Sequence, residues 1–160
     1  MQEYRAPAID WRSRLEGPVV PGLHYHGYTW AGDAGDLASY KLTNLERRVE
    51  GPQFLSSDLP PELVAHYLLR PAGAHRRDQV WHSPAEAADW ILERYLENPE
   101  TQPYADPENT RLFHEVTLEH GRDTVWRWRV VPCHPRKFST TVVCCPNQWD
   151  TSLACPLRIP

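Results

Sequence analysis

Hydrophobic positions along the chain follow a helical period in its middle and a period of two toward its C-terminal end. After Asp58-Leu59-Pro60-Pro61, a helix is expected over Glu62–Arg70, closed by Pro71, which disfavours helical backbone in the residue before it. On a 100° wheel Glu62, His66 and Arg70 make one narrow polar stripe. Leu63, Val64, Tyr67, Leu68 and Leu69 cover the rest, so this helix is expected to be largely buried. The next helix has the strongest start signal: Ser83 as N-cap, Pro84 at the first helical position, and Glu86 completing a capping box. Ala87, Ala88, Ile91, Leu92, Tyr95 and Leu96 form its apolar face, and Asn98-Pro99 ends it. Trp90 breaks that pattern by falling on the polar side with Glu86, Asp89, Glu93 and Glu97.

From Arg111 the alternation reads as strand. Leu112, His114, Val116 and Leu118 share one face, and Phe113, Glu115, Thr117 and Glu119 the other. Trp126, Trp128 and Val130 then alternate with Val125, Arg127 and Arg129. A three-residue turn at Gly121-Arg122-Asp123 would keep both arginines off the tryptophan face, whereas a two-residue turn would not. With Phe138–Cys145 as a third strand, this predicts an antiparallel three-stranded meander from about Arg111 to Cys145. Earlier, Asp10 is placed to cap a short helix from Trp11 to Glu16, and Leu23–Trp30 reads as an aromatic strand. A turn is expected at Gly32–Asp36, and Leu37–Val49 fits strand or helix equally. The expected fold class is α+β, a single domain over residues 1–160 with two central helices packed on an antiparallel sheet that includes the meander.

Composition narrows the classes. A chain of 160 residues can bury roughly two-thirds of its unfolded surface. Its 41% hydrophobic content is reinforced by seven Trp and seven Tyr, which bury much area each. Sixteen scattered prolines point to a loop-rich domain. With 17 basic against 21 acidic side chains, and basic pairs only at Arg47-Arg48, Arg76-Arg77 and Arg136-Lys137, nucleic acid is not an expected partner. Lysine occurs only at Lys41 and Lys137, a bias of bacterial-like base composition. The N-terminus lacks an apolar signal region and no run reaches membrane-spanning length, so a cytoplasmic protein without membrane contact is expected. Its cysteines are then thiols or ligands before they are disulfides.

Chemistry has four candidate places. In His24-Tyr25-His26-Gly27-Tyr28-Thr29-Trp30 a strand would project His24, His26, Tyr28 and Trp30 from one face. Two imidazoles so spaced can share a metal, or one can act as general base beside an aromatic-bound ligand; the plainer alternative is a half-exposed strand hydrogen-bonded to loops. His114 interrupts an apolar face and is either a third catalytic candidate or a core histidine with a partner. Cys133, Cys144, Cys145 and Cys155, with His134, crowd the last 28 residues but lack a Cys-x-x-Cys knuckle. Cys144 and Cys145 would point to opposite faces of one strand, so reduced structural thiols are the simpler expectation, with Cys133/Cys155 closure and a member of the central pair as the zinc alternative. Cys145-Pro146 and Cys155-Pro156 also fit the short haem-responsive Cys-Pro pattern. Finally, Trp90 is either covered by a loop such as Asn98–Pro107 or exposed as a partner anchor, with Arg94 one turn on to stack against it.

The order Leu23-His24-Tyr25-His26-Gly27, Phe54-Leu55-Ser56-Ser57 and Ala65-His66-Tyr67 resembles the start of small ADP-ribosyltransferases. That resemblance implies an NAD pocket in which His26 holds the ribose and Tyr67 packs on the nicotinamide. It covers less than a third of the chain. Tyr28 stands where the family often has Thr, and only Glu115 and Glu119 offer themselves as the catalytic carboxylate.

The leading functional expectation is a small accessory or binding protein using an aromatic and histidine surface toward a protein partner or a small molecule. Its contact residues would be Tyr28, Trp30, Trp90, Trp126 and Trp128. The alternatives are a small-molecule enzyme using His24 or His26, distantly of ADP-ribosyltransferase type, and a zinc-supported domain built on Cys133, His134 and later cysteines. The phosphate-binding loop, dinucleotide fingerprint, nucleophile elbow and His-Glu-x-x-His motifs are all absent from the sequence.

Overall fold

The computed structural model describes residues 7–37, 42–100, 102–130 and 136–160. Helix α1 (Trp11–Arg14) precedes strand β1 (His24–Asp33), and irregular chain with short 3-10 turns leads to β2 (Val80–Trp81). Helices α2 (Pro84–Glu97) and α3 (Pro107–Glu119) follow, then β3 (Thr124–Val130) and β4 (Arg136–Cys145). All neighbouring strands are antiparallel, in the order β2-β1-β4-β3. The α+β class and the packing of helices on an antiparallel sheet are as expected.

The meander is corrected in one strand. Residues 107–119 are helical, and the strand beside β4 opposite β3 is β1, paired from His24↔Cys145 to Asp33↔Arg136. The helix begins where Asp106 accepts a hydrogen bond from the Asn109 amide and Pro107 occupies the first turn. It ends at Gly121, whose φ of 68° suits a left-handed cap; the Gly121 and Arg122 amides bond back to the Leu118 and Thr117 carbonyls. Gly121-Arg122-Asp123 therefore stops a helix and does not turn a hairpin. In β3 the expected alternation holds: Trp126 stacks on Tyr95 at 4.2 Å, Trp128 is buried, and Arg127 and Arg129 are exposed.

Helix α2 starts as read, with Ser83 accepting from the Glu86 amide. Its buried stripe is Ala87, Ala88, Trp90, Ile91 and Tyr95, rotated away from Leu96, which is exposed. The rotation accommodates Trp90, whose ring packs on Trp81 of β2 at 4.8 Å. Both indoles sit over Gly27 of β1: a Cβ there would meet each ring at 2.7 Å. Trp90 is thus buried against Trp81 of β2 and is not an exposed anchor.

The sheet has two unlike faces. One carries Tyr25, Val142 and Cys144 into a core with Ala87, Trp90, Ile91 and Leu118 from the two helices. The other carries Tyr28 and Val143 against Ala65, Tyr67, Leu68 and Leu153. The expected helix Glu62–Arg70 is here a 3-10 segment, Val64–Leu69, with Leu63 and Leu69 exposed. Pro71 holds Arg70 extended, at φ −69° and ψ 153°, so the helical stretch stops before it. Arg47 and Arg70, both buried, hold this irregular layer by donating to the carbonyls of Pro60, Ser57 and Leu59.

Candidate metal centre

His24 and His26 project from one face of β1, as the two-residue period requires, and their rings meet at 5.0 Å. The antiparallel register sets His24 opposite Cys145, and directly opposed residues share a face. Cys144, one residue earlier, pairs with Tyr25 and enters the helix-side core. The strand thus delivers one of two adjacent thiols to the histidines.

The fourth group comes from beyond β4. Asp123 accepts from the Cys144 amide at 2.8 Å and from the Asn147 side chain at 3.0 and 3.1 Å. The Asn147 oxygen in turn accepts from the amides of Trp149 and Asp150. This knot folds the chain back after Cys145, and Leu153 plugs into the second core cluster. Cys155, two residues on, arrives with its sulfur 3.5 Å from Nε2 of His24 and 3.6 Å from Nε2 of His26. One donor atom from each of His24, His26, Cys145 and Cys155 lies within 4.8 Å of all the others.

These distances fit a metal site as well as thiol hydrogen bonds. A thiol can donate to one imidazole nitrogen and accept weakly from the N–H of the other, so either arrangement brings one sulfur close to both rings. Zinc at about 2.3 Å from sulfur and about 2.0–2.1 Å from nitrogen, in a tetrahedron, separates S from N by about 3.6 Å. Both sulfur–nitrogen distances match that edge. His24, His26 and Cys145 are each 2% exposed, and Cys155 is half-buried. Burial, then the neighbouring imidazoles His24 and His75, holds His26 down to about 4, and burial followed by His82 lowers His24. Both rings are therefore neutral at ordinary pH, the form that ligates metal. Burial, then Cys155, pushes the Cys145 thiol up to about 12, so loading a metal there releases a thiol proton.

His75 stands behind the cluster with its ring 6.3 Å from His26. Its Nε2 lies 2.9 Å from the Arg70 carbonyl, which only accepts, so Nε2 carries the proton. Nδ1 therefore accepts the Tyr28 hydroxyl at 2.7 Å. That bond ties the irregular layer to the strand bearing the histidines.

The remaining candidates lie elsewhere. His114 is on α3, 2% exposed, with Nδ1 2.6 Å from the Thr124 hydroxyl and its ring on Trp126. It is a helix-core residue, not part of a strand face. Trp126 and Trp128 pack with Tyr95, and the Trp128 indole donates to the Asn98 carbonyl. Trp30 borders a separate cleft with Arg94, Trp128 and Phe138. Tyr28 stacks on Tyr67 at 4.0 Å with nearly parallel rings, beside a cleft of about 410 Å³ that Ser56, Ser57 and Arg70 also line. His26 does not line that cleft, and Glu115 and Glu119 of α3 are engaged by Arg12 of α1. Cys133 and His134 lie outside the described residues. Sequence reading found both halves of the site, the His-x-His strand and the late cysteines, but did not join them. The joining signal is tertiary: the β1–β4 register and the Asp123–Asn147 knot. Among the described residues no helix is long and apolar enough to cross a membrane. The chain matches no protein-family model, no curated protein and no solved structure.

Proposed function

We propose that this chain is a zinc-supported cytoplasmic domain in which His24, His26, Cys145 and Cys155 bind one ion. The observation that carries this is the pair of sulfur–nitrogen distances from Cys155, both at the edge length of a tetrahedral zinc site. Four protein ligands and three buried donors describe a closed, structural site rather than a catalytic one with an open position. Thiolate and imidazole together favour zinc over the hard cations, and reduced thiols suit the cytoplasm. The ion would fasten the C-terminal segment to β1 and brace the sheet face that lacks a regular helix.

The test is elemental analysis of protein purified without a metal-affinity tag. Near-stoichiometric zinc is expected, and cobalt substitution should give the visible bands of a tetrahedral thiolate site. A metal-free protein of unchanged stability would overturn the proposal.

The cleft beside Tyr28 and Tyr67 favours a second reading, a small-molecule-binding protein whose ligand contacts the aromatic strand. A Tyr67→Leu variant that keeps its fold and its metal but loses ligand-induced thermal stabilisation in a metabolite screen would support it. A screen without any stabilising compound counts against it.

A further inference from the structure

The four donors are not equally reachable. His24, His26 and Cys145 are sealed at 2% exposure, whereas Cys155 is half-buried and sits on a turn-rich tail. The two sulfurs share one cluster, with donor atoms within 4.8 Å. Cys144, the other described thiol, is 0% exposed on the opposite face of β4. Cys155 is thus the most exposed of the four residues, and its partner thiol is already in place. Cys145 is fixed in a paired strand, while Cys155 lies outside any strand or helix, between the buried anchors Leu153 and Leu157.

We propose that Cys155 and Cys145 form a peroxide-sensitive thiol pair that releases the metal on oxidation; this rests on the zinc reading above. The Cys155 thiolate attacks one oxygen of a peroxide, breaking the O–O bond and giving a sulfenic acid, with hydroxide leaving as water after protonation. The Cys145 thiolate then attacks that sulfur, forming S–S and expelling a second hydroxide, also protonated to water. In sum, two thiolates, one hydrogen peroxide and two protons give one disulfide and two waters. Zinc leaves as the dication because both anionic ligands are gone. Because the disulfide joins β4 to the tail, oxidation removes the ion without freeing the segment it held. A thiol reductant with zinc restores the original site.

The experiment treats zinc-loaded full-length protein with hydrogen peroxide and follows metal release with a colorimetric chelator and disulfides by peptide mapping. About one zinc should leave per disulfide formed, linking the peptides that carry Cys145 and Cys155, with Cys144 unmodified. Reductant and zinc should reverse both signals. A Cys155→His variant retains four ligands and should hold its metal through the same treatment. Since that variant can misfold, the mapping on wild-type protein decides independently. Zinc retained after peroxide, or a disulfide through Cys144 or Cys133, overturns the thiol pair while leaving the metal site intact. A protein that carries no zinc at all removes both.

Discussion

The two faces of the sheet solve the same problem with different materials. Toward α2 and α3, β1 and β4 present Tyr25, Gly27, Val142 and Cys144, and the cover is regular, capped helix with interlocked aromatic rings. On the opposite side, the same strands present His24, His26, Tyr28, Val143 and Cys145, and the cover is 3-10 turns and a C-terminal loop. The helix side draws on apolar burial, at about 25 cal/mol per Å². The loop side has less continuous apolar contact and concentrates donors instead, with arginines on carbonyls, the Asp123–Asn147 knot and the His/Cys cluster. Irregular backbone cannot satisfy itself as a helix does, so polar side chains and the proposed ion take over that work.

The largest expected break of this contrast is removal of the metal. A ligand that binds only the folded state at a thousandfold excess over its Kd stabilises by about 4 kcal/mol. For a chain of this size that is about 8–16 °C in Tm. A strong chelator should lower the melting temperature by that order, with protease cleavage appearing first in the tail after Cys145. Cys145→Ala should abolish the chelator effect. Cys144→Ala, one residue away, should preserve it. Equal responses from the two variants would show that the faces are not distinguished by metal.

Two histidines sharpen the comparison. His114 and His26 are equally buried, yet His114 stands alone among Thr124, Trp126 and Phe113, and burial by itself holds it down to about 4. The denatured chain takes up a proton at this residue near 6.5, and the folded chain does not until about 4. Stability therefore falls as pH drops through that window and levels off below it. The gap amounts to about 3 kcal/mol. Chemical denaturation from pH 7 to 4 should show a shallower decline for His114→Gln than for wild type, by about that amount. An unchanged slope would mean that His114 is already protonated or exposed.

Gly27 tests the helix side alone. An added Cβ would meet the rings of Trp81 and Trp90 at 2.7 Å, and overpacking of this kind costs about 1–3 kcal/mol. Gly27→Ala should lower the denaturation midpoint by that measure while zinc content stays at its wild-type value. Loss of metal in this variant would show that the two faces fail together.

Much of this arrangement was legible in local pattern. Period-two alternation put His24, His26 and Tyr28 on one face and separated Cys144 from Cys145, since the pleat makes that inevitable in any extended strand. The convergence of β1 with the tail was not legible, because register between distant strands leaves no local mark. Trp90 misled because a wheel ranks residues by polarity of their neighbours, whereas its place was set by a glycine on another strand. The segment at Leu112–Leu118 misled for another reason. His114, Val116 and Leu118 are indeed buried and alternate, but Thr117 is buried with them, which in a strand happens only where both faces are covered, as in β4. His114, Thr117, Leu118 and Gly121 make the helical spacing.

The start of that helix carried a readable signal, and it supplies the smallest prediction. Ser83-Pro84 and Asp106-Pro107 open α2 and α3 in the same way, each side-chain oxygen accepting the amide three residues on, at 3.4 and 3.0 Å. Proline at the first position loses no hydrogen bond, because that amide has no helical partner. Removing either cap leaves one orphan amide and costs about 1 kcal/mol. The Asp106 cap has the shorter bond and adds a negative charge at the positive end of the helix dipole. Asp106→Ala should therefore destabilise more than Ser83→Ala in equilibrium denaturation, with neither variant altering metal content or its response to chelator. The opposite ranking would show that the charge adds nothing here and that α2, which covers more of the aromatic core, depends more on its cap.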